Sequence, residues 1–294
     1  MARSSDGRTV LSRHLDVLDA FRVDAAFLTV SDVARRADMP LSTAHRLLAE
    51  LAEHGLVERQ EDRRYRLGIR LWELASRTPG ALGLREIAMP HLQEAHAALR
   101  QHIQLGILEG TDVMFLERLS TRDAALNATL VGGRIPLHAS SSGLVLLAHA
   151  PEAVFTELTS RPLRRYTAST PRTADELRQI LARIRREGFA VCDGFIHPAS
   201  RGVAVPVVGA GGKVVATVAA VVHNDASPTA PLVQVLHLAA TRIGEDLRAA
   251  SLPASDPDAY PGGRYRPVVH SSEESMRFFS AGGMRAPRPE RRAG

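Results

Sequence analysis

Leu28–Leu51 reads LTVSDVARRADMPLSTAHRLLAEL, and this stretch decides the fold of the first part of the chain. Thr29-Val30-Ser31-Asp32 fits a capping box. The Thr29 hydroxyl can accept a first-turn N–H while Asp32 reaches back to the cap. A short helix from Val30 to about Ala37 is predicted. Asp38-Met39-Pro40 then breaks it, with Pro40 suited to the first position of a second helix running to about His54. Gly55 stands where a helix-ending glycine belongs. In that second helix Ala44, Leu47, Leu48 and Leu51 follow i, i+3, i+4, i+7 and form a buried stripe. Ser42, Arg46, Ala49 and Glu53 fall on the opposite face, with Thr43 and His45 on its flanks.

Working outward, Leu11, Leu15, Val17, Leu18 and Phe21 recur at helical spacing ahead of this pair. After it, Leu56–Arg59 and Arg64–Leu67 alternate as short strands around the polar connection 60–63, a small hairpin. Helix, helix, turn, helix and hairpin is the order of a winged helix-turn-helix. A helix that reads the major groove does so mainly with its N-terminal half. That half offers Ser42, Thr43, His45 and Arg46. Hydroxyls suit phosphates, and Arg suits guanine or a phosphate. Arg63 and Arg64 sit near the tip of the hairpin, where a wing reaches a backbone. Gly68 to about Arg77 is a further expected helix that links the domains and helps dimerise, closed by Pro79-Gly80.

The remainder is α+β in pattern. A long helix is expected from about Leu84 to His102. Strands are expected at 104–109, 113–119, 128–131, 134–138, 189–192, 203–208 and 214–222. Helices are expected at 143–149, 151–158, 174–186 and about 228–250. Strands joined by hairpins imply a largely antiparallel sheet flanked by helices. The resulting division is a flexible N-terminus over 1–8, a DNA-binding domain over 9–68 and a linker helix over 69–80. An α+β domain over 81–252 and a disordered tail over 253–294, rich in Pro, Gly, Ser and Arg, complete it.

Charge is a weak guide. The chain has 294 residues and a formal net charge of +5, and Lys213 is the only lysine. Residues 1–80 hold 13 Arg against 12 acids, so no basic block marks a nucleic-acid surface. No apolar run approaches the ~18 residues of a membrane span. The first residues lack the apolar core of a secretion signal. Cys192 is the only cysteine, which excludes an internal disulfide and a cysteine-based zinc site. A cytoplasmic protein is the expectation. His91, His96 and His102, expected on one helix, are spaced so that no two chelate one ion, so no metal and no cofactor is expected.

The motifs resemble those of the IclR family of bacterial transcriptional regulators. The helix pair with HGLVERQEDRRYRLGIRL carries the first part of the likeness. Gly132–Ala148, GGRIPLHASSSGLVLLA, is similar to that family's G-x-x-x-P-L-H-A-S-x-x-G stretch. REGFAVCDG and RGVAVPV within 186–207 are similar to a later one. The likeness spans about residues 9–250. It implies a GAF-like second domain that binds a small effector, commonly an organic or aromatic acid. It also implies binding of palindromic or repeated double-stranded operators by homodimers or dimers of dimers. Carried over by position, the effector pocket would include His138, Ala139, Ser140, Ser141, Ser142, Asp193, Gly202, Ala219 and Val221. Gly202 stands where many members have Cys, and Ala219 and Val221 where some have serines. Gly194-Phe195 replaces an acidic pair, and Leu144 replaces a Lys. These departures make the pocket less polar and point to an effector larger or more apolar than a two- or three-carbon acid.

Two other readings compete. Ala139–Gly143 also fits a relaxed nucleophile elbow, so an α/β-hydrolase-like enzyme using Ser141 with Asp225 and His237 is a second candidate. A regulator without any small ligand is the third. The helix-turn-helix pattern favours a regulator rather than an enzyme.

Overall fold

The structure is a computed structural model that describes residues 9–22, 25–75, 81–122 and 124–251. The expected flexible N-terminus, the Pro79-Gly80 boundary and the tail over 253–294 lie outside the described residues. The chain divides into two units, Met1–Leu82 and Gly83–Gly294.

In the first unit Thr9 caps α1 (Val10–Asp19) by accepting from Ser12 N. Thr29 caps α2 (Val30–Arg36) with the full capping box, Asp32 Oδ2 accepting from Thr29 N at 3.2 Å. α3 (Leu41–Glu53) follows, and here Pro40 is the cap residue itself, one place earlier than the sequence implied. Gly55 takes the left-handed conformation that ends α3, with φ +69°. Ala44, Leu47 and Leu48 are completely buried and Leu51 nearly so, as the periodicity required. They pack with Val17, Phe21, Val33, Val57 and Tyr65 in one core. Each fully buried leucine contributes roughly 1.5–3 kcal/mol relative to exposure. The hairpin is β1 (Val57–Arg59) paired antiparallel with β2 (Tyr65–Leu67). Leu28 and Tyr65 exchange both backbone hydrogen bonds, at 3.0 and 2.7 Å, which ties the wing to the segment that opens α2. α4 (Ile69–Ala75) follows directly.

In the second unit α5 (Ala81–Leu99) leads into β3 (His102–Glu109) and β4 (Asp112–Leu119). β5 (Arg134–Pro136), a single 3-10 turn over Leu137–Ala139, α6 (Ser141–His149), α7 (Glu152–Thr159) and α8 (Ala174–Glu187) come next. β6 (Ala190–Asp193), β7 (Ser200–Val208), β8 (Val214–His223) and α9 (Ala230–Ser251) complete it. The six strands form one antiparallel sheet in the order β5-β4-β3-β8-β7-β6. The period-two alternation of strands divides it into two faces. Val203, Val205 and Val207 with Ala216, Val218 and Ala220 pack against Leu92 of α5 and Leu236, Ala240 and Ile243 of α9. Ala204, Ala219, Phe115 and Cys192 face the other way, against Leu144 and Leu147 of α6 and Leu177 and Leu181 of α8.

The structure corrects two expected elements. The long helix stops at Leu99, and His102 opens β3, so the three histidines do not share a helix. Arg100 turns the chain with φ +50°. Residues 128–131 form no strand. Thr129 N donates to Asn127 Oδ1 at 3.0 Å and Thr129 O accepts from Arg118 Nη1, so neither group is left for a ladder. β4 is instead flanked by β5, in register Asp112 with Pro136.

Candidate DNA-reading face and effector cavity

The reading helix places its residues as the periodicity predicts. Ser42, His45 and Arg46 are exposed and Thr43 is half-buried, on the side away from the core. No side chain caps α3, so its first-turn N–H groups have no side-chain partner. Arg46 is nonetheless held. Its Nη1 donates to Glu50 Oε1 one turn on, and Glu50 Oε2 is 2.8 Å from His14 Nε2 of α1. Burial alone would raise the Glu50 carboxyl. The bonds from His14 and Arg46 outweigh it and hold the group below its ordinary value.

At the wing, Gln60 N donates to Arg64 O at 2.7 Å and closes the turn. Arg63 takes φ +65° at the tip, and Asp62 Oδ1 accepts from Arg64 N at 3.0 Å. Both arginine side chains are exposed. Arg66, further down the wing, is bound twice to Glu58 Oε2 and is not at the tip.

The second unit holds a cavity on the sheet face that carries α6. Its floor comes from Gly202 and Val221, and Phe115, Ile135 and Phe195 line its apolar sides. Ala139, Ser140, Ser141 and Ser142 form one wall at the start of α6. The 3-10 turn delivers that wall: Ser140 leaves it in extended conformation and caps α6, accepting from Gly143 N at 3.1 Å. A β-carbon at position 202 would lie 2.8 Å from Ser141 Oγ, so the glycine is what admits that hydroxyl over β7. Ser142 Oγ is buried and has no hydrogen-bond partner. A buried hydroxyl with no partner costs free energy until something binds it.

Three of the expected effector residues do not line this cavity. His138 is buried beside it, with Nε2 donating to Arg164 O at 2.9 Å, so its ring anchors the 160s segment. Burial pushes its pKa down, against the pull of that bond. Asp193 points to the exposed edge of β6, where it accepts from Arg201 Nε at 2.5 Å. Ala219 is on the right face but is covered by the α6 and α8 core. Cys192 is buried and its thiol is pushed well up by desolvation, yet it also borders the cavity.

The opposite wall was missed from sequence. The loop over 124–131 crosses over the sheet and is pinned there by three side chains. His102 Nε2 donates to Ala125 O at 2.7 Å, Arg118 to Thr129 O, and Gln104 Nε2 to Thr129 Oγ1. Asn127 and Thr129 thereby line the cavity together with Gln104. The available signal was Gln104 itself, a glutamine in the otherwise apolar run IQLGIL.

The hydrolase arrangement finds no support. Ser141 lies on the α6 face, whereas His237 belongs to α9 on the opposite face, and Asp225 is exposed in the loop after β8. Among the described residues no cluster of His, Cys, Asp or Glu is arranged to hold a metal ion. No described helix is long and apolar enough to cross a membrane.

A winged helix-turn-helix with an exposed reading helix, carried on the same chain as a sheet unit that encloses a cavity, defines a DNA-binding regulator controlled by a small molecule. The family can be named as well. An IclR helix-turn-helix domain matches residues 10–61, and a bacterial transcriptional regulator IclR C-terminal domain matches residues 78–244. The chain belongs to the IclR family of transcriptional regulators. It is 33% identical over 201 residues to the HTH-type transcriptional regulator XynR of Escherichia coli, covering 67% of this chain and 79% of that one. It is 28% identical to the Pca regulon regulatory protein of Pseudomonas putida, over 74% of this chain and 75% of that one. Among solved structures it is similar to an IclR homologue of Microbacterium hydrocarbonoxydans complexed with 4-hydroxybenzoate. There the identity is 44% and the TM-score 0.78, over 82% of this chain and all of the other.

Proposed function

We propose that this regulator binds its operator through Ser42, Thr43, His45 and Arg46 of α3 and Arg63 and Arg64 of the wing, and that an aromatic carboxylic acid in the cavity controls that binding. The observation that carries the effector reading is Ser142. Its hydroxyl is buried without a partner at the N-terminus of α6, in a cavity whose sides are Phe115, Ile135 and Phe195. A helix N-terminus favours an anion, and its free N–H groups aim at one. The apolar sides suit a ring. The similar Microbacterium protein, complexed with 4-hydroxybenzoate, supports the same class.

The working form is a homodimer or a dimer of dimers on a palindromic or repeated site. In support, α4 and the strand before it expose Leu67, Ile69, Trp72 and Leu74, with Trp72 68% exposed, and apolar surface of this kind marks protein contacts. Two reading helices then need half-sites about one DNA turn apart, ~34 Å. The effector acts by shifting the population of dimers with that spacing, not by chemistry. A DNA target places the protein in the cytoplasm.

The test is a thermal-shift screen of the whole chain with carboxylic acids, followed by gel shifts on its own upstream DNA. A shift with aromatic acids, and a change in operator affinity with the same acids, is the expected result. A shift only with neutral ligands would remove the carboxylate assignment. No response to any ligand, with operator binding intact, would favour a regulator without an effector.

A further inference from the structure

The cavity has a second polar end, away from α6. Asn127 Oδ1 accepts from both Thr129 N at 3.0 Å and Thr129 Oγ1 at 2.7 Å. A backbone N–H can only donate, so this bond fixes which way the amide faces and leaves Nδ2 on the other side. Nδ2 is buried and has no hydrogen-bond partner. The chain of bonds continues behind it. Thr129 Oγ1 donates to Asn127, so it must accept from Gln104, and Gln104 Nε2 is the donor that supplies it. Gln104 lines the same end. That end of the cavity therefore carries an N–H donor with no partner. A hydroxyl satisfies it by accepting from Asn127 Nδ2.

The spacing of the two ends agrees with this. Gln104 is on β3, and Gly202, with Ser141 above it, is on β7. Only β8 runs between those strands. Two strand spacings are ~10 Å, and the two-residue offset between Gln104, opposite Ala219, and Gly202, opposite Val221, lengthens the span to ~12 Å. That is the scale of one ring with a hydrogen-bonding group at each end, and a short aliphatic acid reaches only one of them. Phe115 and Ile135 leave the middle apolar.

We propose that Asn127, oriented by Thr129 and Gln104, is the specificity-determining residue that reads a hydroxyl on the effector at the end remote from its carboxylate. The inference rests on the aromatic-acid reading above and adds the chemistry of the second end. A site built to bond a hydroxyl rejects an analogue without one, because its own buried groups are then left unpaired.

The test is isothermal titration calorimetry of the full chain with 4-hydroxybenzoate, 4-methylbenzoate and 4-aminobenzoate. The methyl group matches the hydroxyl in size without polarity, and the amino group donates but is a poor acceptor. The wild-type protein should bind 4-hydroxybenzoate at least tenfold tighter than 4-methylbenzoate, and several-fold tighter than 4-aminobenzoate. Asn127→Leu should bring the first ratio close to one while the affinity for 4-methylbenzoate stays within about threefold. Retained 4-methylbenzoate binding shows that the cavity is intact. Should the variant lose every ligand, the wild-type ratios alone decide. Binding of all three ligands with equal affinity overturns the inference and leaves the aromatic-acid reading standing. A wild-type preference that survives Asn127→Leu removes the assignment to Asn127. Failure of the wild-type chain to bind any benzoate overturns both readings.

Discussion

Arg46 is exposed on the reading helix but is not loose. Glu50 holds it from one turn away, and His14 holds the other oxygen of Glu50 from a different helix. Such a surface pair adds little to stability. Its effect is to keep a long side chain near one orientation before DNA arrives, which lowers the entropy lost on contact. Arg46→Ala should weaken operator binding by about 1–3 kcal/mol if the guanidinium reads a base. Fluorescence anisotropy on operator and on random duplex checks this, and equal loss on both would reduce Arg46 to a phosphate contact. The face that carries Arg46 was legible because a helix repeats every 3.6 residues, and four apolar positions settle its rotation. The role of His138 was not. Its partner, the Arg164 carbonyl, is 26 residues away in sequence, and no local pattern reports such a bond.

At the scale of elements, the cavity exists because α6 begins where it does. Gly143, in the first turn, lies against the preceding 3-10 turn. A β-carbon there would come 2.4 Å from Leu137 O and 2.6 Å from Leu137 Cα, both backbone atoms with no room to yield. Gly143→Ala should therefore displace α6 from the turn, at the roughly 1–3 kcal/mol typical of overpacking. For a unit of this size that is a fall in melting temperature of several degrees. The stabilisation by an aromatic acid should vanish with it. Calorimetry with and without 4-hydroxybenzoate reads both effects, and a variant that melts and responds like the wild type would refute the role given to this contact. The helix after the serine-rich turn was legible, although it was expected from residue 143 and begins at Ser141. The loop over 124–131 was not, because residues 128–131 have strand-like composition. Only the competition between Asn127, Arg118 and a ladder for the Thr129 backbone shows that they form no strand.

For the molecule as a whole, charge proved a poor guide and titration a better one. The net +5 is spread thinly, and the proposed DNA-reading surface rests on the placement of a few arginines. Lowered carboxyls occur in both units, Asp225 among those of the effector unit, but among the described residues lowered histidines occur in the effector unit alone. In the effector unit His102, His138, His149 and His237 all have pKa values lowered from 6.5, in each case mainly by burial. Below about pH 6.5 the unfolded chain then binds more protons than the folded one, so stability rises with pH there. It is fully present above the unfolded value and is lost as pH falls through 6.5 towards the depressed folded values. His102 illustrates the consequence. Its Nε2 donates to Ala125 O while Nδ1 faces Ser120 Oγ at 3.1 Å, an arrangement suited to the neutral ring that pins the loop over the cavity. In the DNA-binding unit the lowered groups are the carboxyls of Asp32, Glu50 and Glu58, whose ordinary values are 3.8 and 4.5. Their contribution is present above those values and is lost only at lower pH. Scanning calorimetry at pH 7.5 and pH 5.5 should show the effector unit's melting transition falling while that of the DNA-binding unit holds. The thermal shift from 4-hydroxybenzoate should shrink with it, since the pinned loop forms one wall of its cavity. A DNA-binding unit that melts first on acidification, or an effector transition that does not move, would show that these buried histidines do not govern the response to acid.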